Sequence, residues 1–279
     1  MSLTGRVSTW IGFGREGLFV WLSRHRWLIW ELTKREHTDR YAGSMLGPLW
    51  AIGHPLVMMS VYVVVFSYVF RLKVGGTEDL PLDYATYLMA GYLPWMAFQE
   101  SMNKASSVVV ANATLVKQVV FPVEVLPIKG ALASGATQLV GTVFLMVYTV
   151  VGQRALPATY GLLPLVLVVQ LVAMIGASFL LGAVGAYFRD LKEVVQVGTV
   201  VGVYLLPIFY LPAWVPDVLR PLLYLNPFSY MIWCYQDVFY YGRIQHPFAW
   251  AVFVIGALVT LQLGLWVFRR ARVSFGNVL

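Results

Sequence analysis

Charged residues are scarce in this chain. Asp, Glu, Lys and Arg make up 12% of its 279 residues, against about 25% in soluble domains. Apolar residues reach 59%, above the usual ~45–50%, so a soluble fold would have too little polar surface to cover itself. Because lipid is an apolar solvent, it removes that difficulty. The composition therefore indicates a chain that lies mainly within a bilayer.

Cysteine and nucleotide-binding motifs are also nearly missing. The one cysteine, Cys234, excludes an intrachain disulfide and a cysteine-based zinc cage, and we expect it to be a small buried residue. The sequence contains no GxxxxGK[ST], HExxH or GxSxG motif, so we expect no catalytic site, cofactor or metal in this chain. The net charge of +7 comes from residues scattered in short loops, a pattern typical of membrane topology rather than nucleic-acid binding.

Six apolar runs are close to or longer than the roughly 20 residues that a helix needs to cross a ~30 Å hydrocarbon core. They are residues 46–70, 84–110, 128–151, 162–188, 194–211 and 247–268. The pattern predicts an all-α integral membrane protein with a cytoplasmic N-terminus (1–45) and one transmembrane domain (46–279). Fifteen of the 20 Lys and Arg residues then lie on the side of the N-terminus. Since basic loops stay inside, both termini are predicted to be cytoplasmic.

Two segments do not fit simple crossing. Residues 18–32 alternate Trp and other apolar side chains with Arg24 and Arg26, which predicts an amphipathic helix lying along the cytoplasmic interface. Residues 211–241 contain four prolines, too many for one straight helix. They predict short re-entrant helices on the external side, between the fifth and sixth spans.

Few side chains within the predicted spans are ionisable. Glu100 and Lys104 are four residues apart and are expected to pair on one helix face. His54, near the start of the first span, is either a packing residue or a functional one.

Aromatic residues recur on one face of the first span. Tyr62, Phe66 and Phe70 follow a spacing of four residues, and Tyr204 of the fifth span is a further candidate. Aromatic rings at helical spacing are either core packing or, because sugar C–H faces stack on rings, the lining of a glycan path.

The predicted cytoplasmic loops are short and distinctive. The first, ATLVKQVVFPVEVLPIK (113–129), is apolar between basic residues, and the second, YFRDLKEVVQ (187–196), is a sudden charge cluster. Each either stops a helix at the interface or fits a partner's groove.

Several stretches together resemble one family. They are RYAGSMLGPLWAIGHPL (40–56), YLMAGYLPWMAFQESM (87–102), VKQVVFPVEVLPI (116–128), YFRDLKEVVQ (187–196) and LNPFSYMIW (225–233). In this order they resemble the ABC-2 type permeases of polysaccharide exporters, in particular those for O-antigen, capsule and teichoic acid.

The resemblance implies a half-transporter in a bacterial inner membrane. Two copies would form the pore for an undecaprenyl-linked glycan, and two copies of a separate ATPase would bind ATP and Mg²⁺ beneath it. The implied ATPase-coupling residues are Lys117, Phe121, Pro122, Glu124, Arg189 and Asp190. The implied glycan path contains Tyr62, Phe66, Phe70 and Tyr204, and Arg24, Arg26, Arg35 and Arg40 would lie at lipid headgroups.

Two other functions fit the same apolar architecture. One is export of a small drug or lipid, which adjacent resistance genes would favour over glycosyltransferase genes. The other is a membrane-embedded transferase, which requires convergent catalytic polar groups, and only His54 and Glu100 are candidates.

Overall fold

The computed structural model describes residues 18–40, 42–65, 82–118, 121–152 and 157–278, and every regular element in these ranges is helical. The helices are α1 (Leu18–Arg40), α2 (Trp50–Val63), α3 (Tyr84–Ala105), α4 (Val108–Ala111), α5 (Ala113–Gln118), α6 (Val125–Val147), α7 (Leu163–Tyr187), α8 (Leu191–Gly202), α9 (Arg220–Leu225), α10 (Pro227–Gln236), α11 (Pro247–Ala271) and α12 (Phe275–Val278). Single 3-10 turns are Gly47–Leu49, Ala158–Leu162, Val203–Leu205, Pro212–Trp214 and Arg272–Ser274, and π-helical turns are Tyr148–Gly152 and Asp237–Tyr241.

Three helical segments of the described residues are long and apolar enough to cross a membrane. They are Val125–Gly152, Ala158–Tyr187 and Pro247–Ser274, and they correspond to the third, fourth and sixth predicted spans. The second predicted span contains α3, which ends at Ala105 because the chain turns at 106–107 before α4. Of the first span, α2 gives 14 residues, and residues 66–70 lie outside the described residues.

The fifth predicted span departs most from its prediction. Its helix α8 begins earlier, at Leu191, and has only 12 residues, about 18 Å at 1.5 Å per residue. One 3-10 turn follows, and the chain then runs without helix from Leu206 to Leu211. Burial explains the apolar composition of 206–208, since Leu206 and Ile208 are fully buried, whereas Tyr204 and Leu205 are 67% and 53% exposed.

The proline-punctuated segment forms short helices. Pro227 occupies the first turn of α10, where its missing N–H costs nothing, and the Asn226 side chain caps the helix by accepting from the Phe228 N–H at 3.1 Å. A π-turn ends this segment at Gly242, whose φ of 62° is the left-handed conformation that glycine tolerates. Cys234 of α10 is buried, as expected.

A buried polar network ties four helices together. Gln138 of α6 donates through Nε2 to the Gln170 Oε1 atom of α7 at 2.8 Å and to the Tyr235 hydroxyl of α10 at 2.9 Å. Gln170 Nε2 donates to the Pro94 carbonyl of α3 at 2.9 Å, and the Tyr235 hydroxyl donates to Gln170 Oε1. Because apolar surroundings give these groups no water, their mutual bonds fix how the helices pack.

The helix ends on the predicted cytoplasmic side share a separate apolar cluster. Its members include Trp21 and Ile29 of α1, Leu126 of α6, Phe179 of α7 and Phe268 of α11. An ion pair between Lys129 Nζ and Glu36 Oε2 at 3.0 Å also joins α1 to α6. The helix α1 is therefore packed against the bundle and continues eight residues beyond the predicted 18–32.

Candidate functional site

Tyr62 and Tyr204 belong to one row of aromatic rings. The Tyr62 ring of α2 lies 4.9 Å from the Tyr92 ring of α3, which lies 6.5 Å from Phe209. Phe209 in turn stacks on Tyr204 with the ring centroids 5.8 Å apart. These separations are those of interacting aromatic pairs. We call Tyr62, Tyr92, Phe209 and Tyr204 the aromatic row; it joins α2 and α3 to the segment that follows α8.

Hydrogen bonds to irregular backbone hold the row in place. The Tyr84 hydroxyl donates to the Phe209 carbonyl at 2.6 Å, and the Tyr87 hydroxyl lies 3.2 Å from the Pro207 carbonyl and 3.1 Å from that of Tyr210. Gln236 Nε2 of α10 donates to the Pro207 carbonyl at 2.8 Å. Non-helical backbone in an apolar environment is tolerated only where protein groups supply its hydrogen bonds. The donors on α3 and α10 therefore position residues 207–210.

The sequence identified two of the four rings. Phe66 and Phe70 lie outside the described residues, while Tyr92 and Phe209 were not predicted. Tyr92 carries no local sequence signal, because its contact with Tyr62, at the end of α2, is made between two separate helices. Phe209 carries none, because its place depends on the break after α8.

The ionisable residues of the predicted spans lie together. Glu100 Oε1 and Lys104 Nζ are 3.1 Å apart on α3, which confirms the expected ion pair. Both line a cavity between α2, α3 and α6, which His54 also lines.

The first predicted cytoplasmic loop folds against the bundle. Lys117 at the end of α5 is exposed, whereas Phe121 and Pro122 are half-buried. Phe121 packs on the apolar cluster of helix ends described above. Glu124 is different, because only 1% of its side-chain surface is exposed and its carboxylate accepts a hydrogen bond from Arg272 Nη1. Any effect of Glu124 on a partner must therefore act through the position of this loop rather than by direct contact.

The second loop presents its charges outward. Arg189 and Asp190 are both exposed, as are Tyr187 and Phe188 before them. The Tyr187 hydroxyl donates to the Ala271 carbonyl at 3.0 Å, one residue before Arg272, the partner of Glu124. The turn after α11 thus connects the two loops, a link that sequence alone did not predict because Arg272 counted only toward topology.

The predicted lipid-facing arginines lie on α1. Arg24, Arg26 and Arg35 are exposed, and the side chain of Arg40, the last residue of α1, is outside the described side chains. Exposed Trp27 and Trp30 belong to the same helix, and they stand 74% and 62% exposed. Trp21 is instead buried, with its ring stacked on His25 at 4.4 Å, because it packs on the bundle rather than in lipid.

Comparison with known proteins agrees with this architecture. A family model described as ABC-2 type transporter matches residues 28–240. The chain is similar to two proteins from Klebsiella pneumoniae named O-antigen export system permease protein RfbA, at 28% and 27% identity over 252 residues, covering 89% of this chain and 93% of each relative. A protein of the same name from Myxococcus xanthus is 27% identical over 259 residues, covering 92% of this chain and 96% of the relative.

The family match covers well over half of the chain, and the matched residues include both predicted loops and the aromatic row. Together with the three long apolar helical segments, it makes the chain a multi-pass membrane protein. The chain belongs to the ABC-2 type transporter family.

Proposed function

We propose that this chain is the transmembrane subunit of an ABC exporter that moves a lipid-linked, O-antigen-like polysaccharide from the cytoplasm across the bacterial inner membrane. The observation that carries this proposal is similarity to O-antigen export permeases over nine-tenths of the chain. The aromatic row supports it, since neighbouring rings offer successive stacking surfaces for sugar C–H faces. Export of a small drug or lipid gains no comparable support.

The energy source in this proposal is a separate ATPase subunit. The sequence has no GxxxxGK[ST] loop that would hold ATP phosphates and Mg²⁺, so both bind to the partner. Its docking surface is proposed to be the two loops that carry Lys117, Phe121, Pro122, Glu124, Arg189 and Asp190. Because the turn at Arg272 connects these loops, a push on one is transmitted to the other.

The proposed membrane arrangement has six spans within residues 46–279, with both termini in the cytoplasm. In it, α1 lies along the cytoplasmic interface as part of residues 1–45, and Arg24, Arg26, Arg35 and Arg40 contact lipid phosphates. The short helices from Pro212 to Gln236 then form the external re-entrant segment.

Two copies of the chain are proposed to form the path for an undecaprenyl-linked glycan. Support comes from apolar side chains on α2 and α8 that stand exposed among the described residues. Val57 and Val61 of α2 are 56% and 50% exposed, and Val194 and Val197 of α8 are 65% and 63% exposed. Exposed β-branched side chains on both helices suit packing against a second copy that completes the path.

The proposal is tested in sealed vesicles that hold this chain and its ATPase, with ATP supplied on the ATPase side. We expect undecaprenyl-pyrophosphate-linked glycan to become accessible to a glycosidase on the opposite side, and we expect none with a hydrolysis-dead ATPase. Equal glycan movement with the dead ATPase, or movement of small lipids alone, would show that the proposed function is wrong.

Reversing the charge of Arg189 should uncouple the two subunits. Arg189→Glu adds a negative charge to an exposed loop without disturbing buried packing, so we expect export and substrate-stimulated ATP hydrolysis to fall about tenfold or more. The matched control is Arg243→Glu, an equally exposed arginine on the predicted external side, which should leave both rates unchanged. Glu124 is a poorer test because its reversal also breaks a buried ion pair. Unchanged coupling in Arg189→Glu would remove this residue from the docking surface.

A further inference from the structure

A cavity of about 480 Å³, lined by both polar and apolar side chains, opens between α2, α3 and α6. Its size falls within the roughly 300–1,000 Å³ of small-ligand sites. The side chains with hydrogen-bonding or stacking capacity that line it are Tyr92, Gln99, Glu100, Asn103, Lys104 and Thr137, and His54 lies at its edge. Polar groups within a membrane-spanning bundle are costly to keep and generally mark a functional site.

Asn103 has an acceptor that the described protein leaves unused. Its Nδ2 atom donates to Thr199 Oγ1 of α8 at 3.3 Å, and the Thr199 hydroxyl donates to the Gln196 carbonyl at 3.0 Å. Because the only Thr199 hydrogen is already used, that oxygen accepts and Asn103 must turn its NH₂ group toward it. The Asn103 Oδ1 atom is buried and finds no hydrogen-bond partner among the described residues. A buried acceptor without a partner is costly to keep in a folded protein, and among the residues that line the cavity Asn103 is the one with such an atom.

The cavity and the aromatic row share one residue. Tyr92 forms part of the cavity wall and also lies 4.9 Å from Tyr62 and 6.5 Å from Phe209, centroid to centroid. Lys104 lies about 18 Å from Tyr92 along the α3 axis, toward the predicted cytoplasmic end of the helix. The cavity therefore adjoins the aromatic row at Tyr92 and extends from it toward the predicted cytoplasmic end of α3.

We propose that this cavity binds a sugar residue of the lipid-linked glycan before or during its passage along the aromatic row. This inference rests on the proposed function and adds the place at which the glycan is recognised. A sugar presents several hydroxyls that both donate and accept, together with an apolar C–H face. Gln99 offers donors and an acceptor, and Thr137 offers its hydroxyl oxygen as an acceptor, since its hydrogen donates to the Ala133 carbonyl at 3.3 Å. Tyr92 offers the ring.

The charges favour a sugar over a phosphate. Lys104 is paired with Glu100 at 3.1 Å, so the two formal charges cancel within the cavity. A pyrophosphate gains most from unbalanced cations such as arginine clusters, whereas a hydroxyl-rich neutral ligand bonds equally well to an ammonium and a carboxylate. We therefore assign the pyrophosphate to a different place and the sugar to this one.

The test compares two lipids on the complete transporter with its ATPase subunits. The probes are undecaprenyl pyrophosphate and the same lipid with one N-acetylglucosamine, and binding of each is counted by native mass spectrometry. We expect the wild type to prefer the sugar-bearing lipid. Gln99→Leu and the near-isosteric Thr137→Val should each lower that preference about three- to tenfold, since each removes hydrogen bonds to hydroxyls. Gln262→Leu, an exposed glutamine of α11 outside the cavity, is the matched control and should keep it.

Each other outcome overturns a different statement. A wild-type preference that survives both cavity variants would place sugar recognition elsewhere while leaving the proposed function intact. Equal loss of both lipids in the variants would show that the cavity binds the pyrophosphate rather than the sugar. Failure of the wild type to bind either lipid would remove the proposed substrate itself. Co-purification of the ATPase reports whether each variant folds, and Thr137→Val, which keeps the side-chain shape, decides the question if Gln99→Leu does not fold.

Discussion

Gly264→Ala should strongly destabilise the protein, whereas Gly256→Ala on the same helix should be neutral or stabilising. A Cβ atom at Gly264 would lie 2.1 Å from the backbone carbonyl oxygen of Gly176 on α7, far inside van der Waals contact. The reverse position is as tight, because a Cβ at Gly176 would lie 2.5 Å from the backbone nitrogen of Leu261. At Gly256 an added Cβ meets no atom of the described residues within 4 Å.

The cost arises because backbone, unlike a side chain, cannot move aside. The two helices must separate, which forfeits their close packing, the main attraction between helices in lipid. We expect a loss of about 3 kcal/mol or more, seen as a drop of roughly 6–12 °C in the unfolding temperature of the purified protein in detergent. Gly256→Ala gains up to about 1 kcal/mol of helix propensity. Equal unfolding temperatures for the two variants would mean that α7 and α11 do not approach through these glycines.

The long spans could be predicted from sequence because hydropathy is an average over many residues. The third, fourth and sixth spans agree with the structure to within a few residues, apart from the end of the last helical segment, which extends to Ser274. The fifth span could not be predicted in the same way, because residues 206–208 are apolar for burial within protein and not for contact with lipid. Hydropathy cannot separate these two environments; only the partners of the backbone groups, such as Tyr87 and Gln236, can.

The candidate site was predictable where it depends on one helix. Glu100 and Lys104 pair as their spacing requires, and exposed Arg189 follows from a charge cluster that ends a helix. Glu124 could not be foreseen as buried, because its partner Arg272 is distant in sequence and ordinarily counts as a topology signal. Tyr92 and Phe209, which join Tyr62 to Tyr204, could not be foreseen for the same reason, since contacts between separate elements leave no local sequence pattern.

Asp237→Ala should destabilise the segment that precedes the last span. The Asp237 carboxylate is fully buried in the π-turn after α10 and accepts three hydrogen bonds. They come from the His246 backbone N–H at 3.0 Å, from His246 Nδ1 at 2.8 Å and from Trp250 Nε1 at 3.0 Å. These bonds connect the π-turn to the start of α11, and the His246 ring also stacks on Trp233 at 5.5 Å. Alanine leaves all three donors without their acceptor, so we expect a loss of about 3 kcal/mol in the free energy of unfolding.

Asp217→Ala is the matched control, since it removes the same carboxyl group from the surface. The Asp217 side chain is 87% exposed and pairs with Arg220 at 2.9 Å, and an exposed pair contributes no more than about 1 kcal/mol. Thermal unfolding should therefore separate the two variants clearly, and export should fall only in Asp237→Ala, because the short helices lose their attachment to α11. A pair of variants with the same unfolding temperature and the same export rate would show that this carboxylate does not hold the segment. If stability fell while export per folded transporter stayed normal, the three bonds would stabilise the fold without positioning the path.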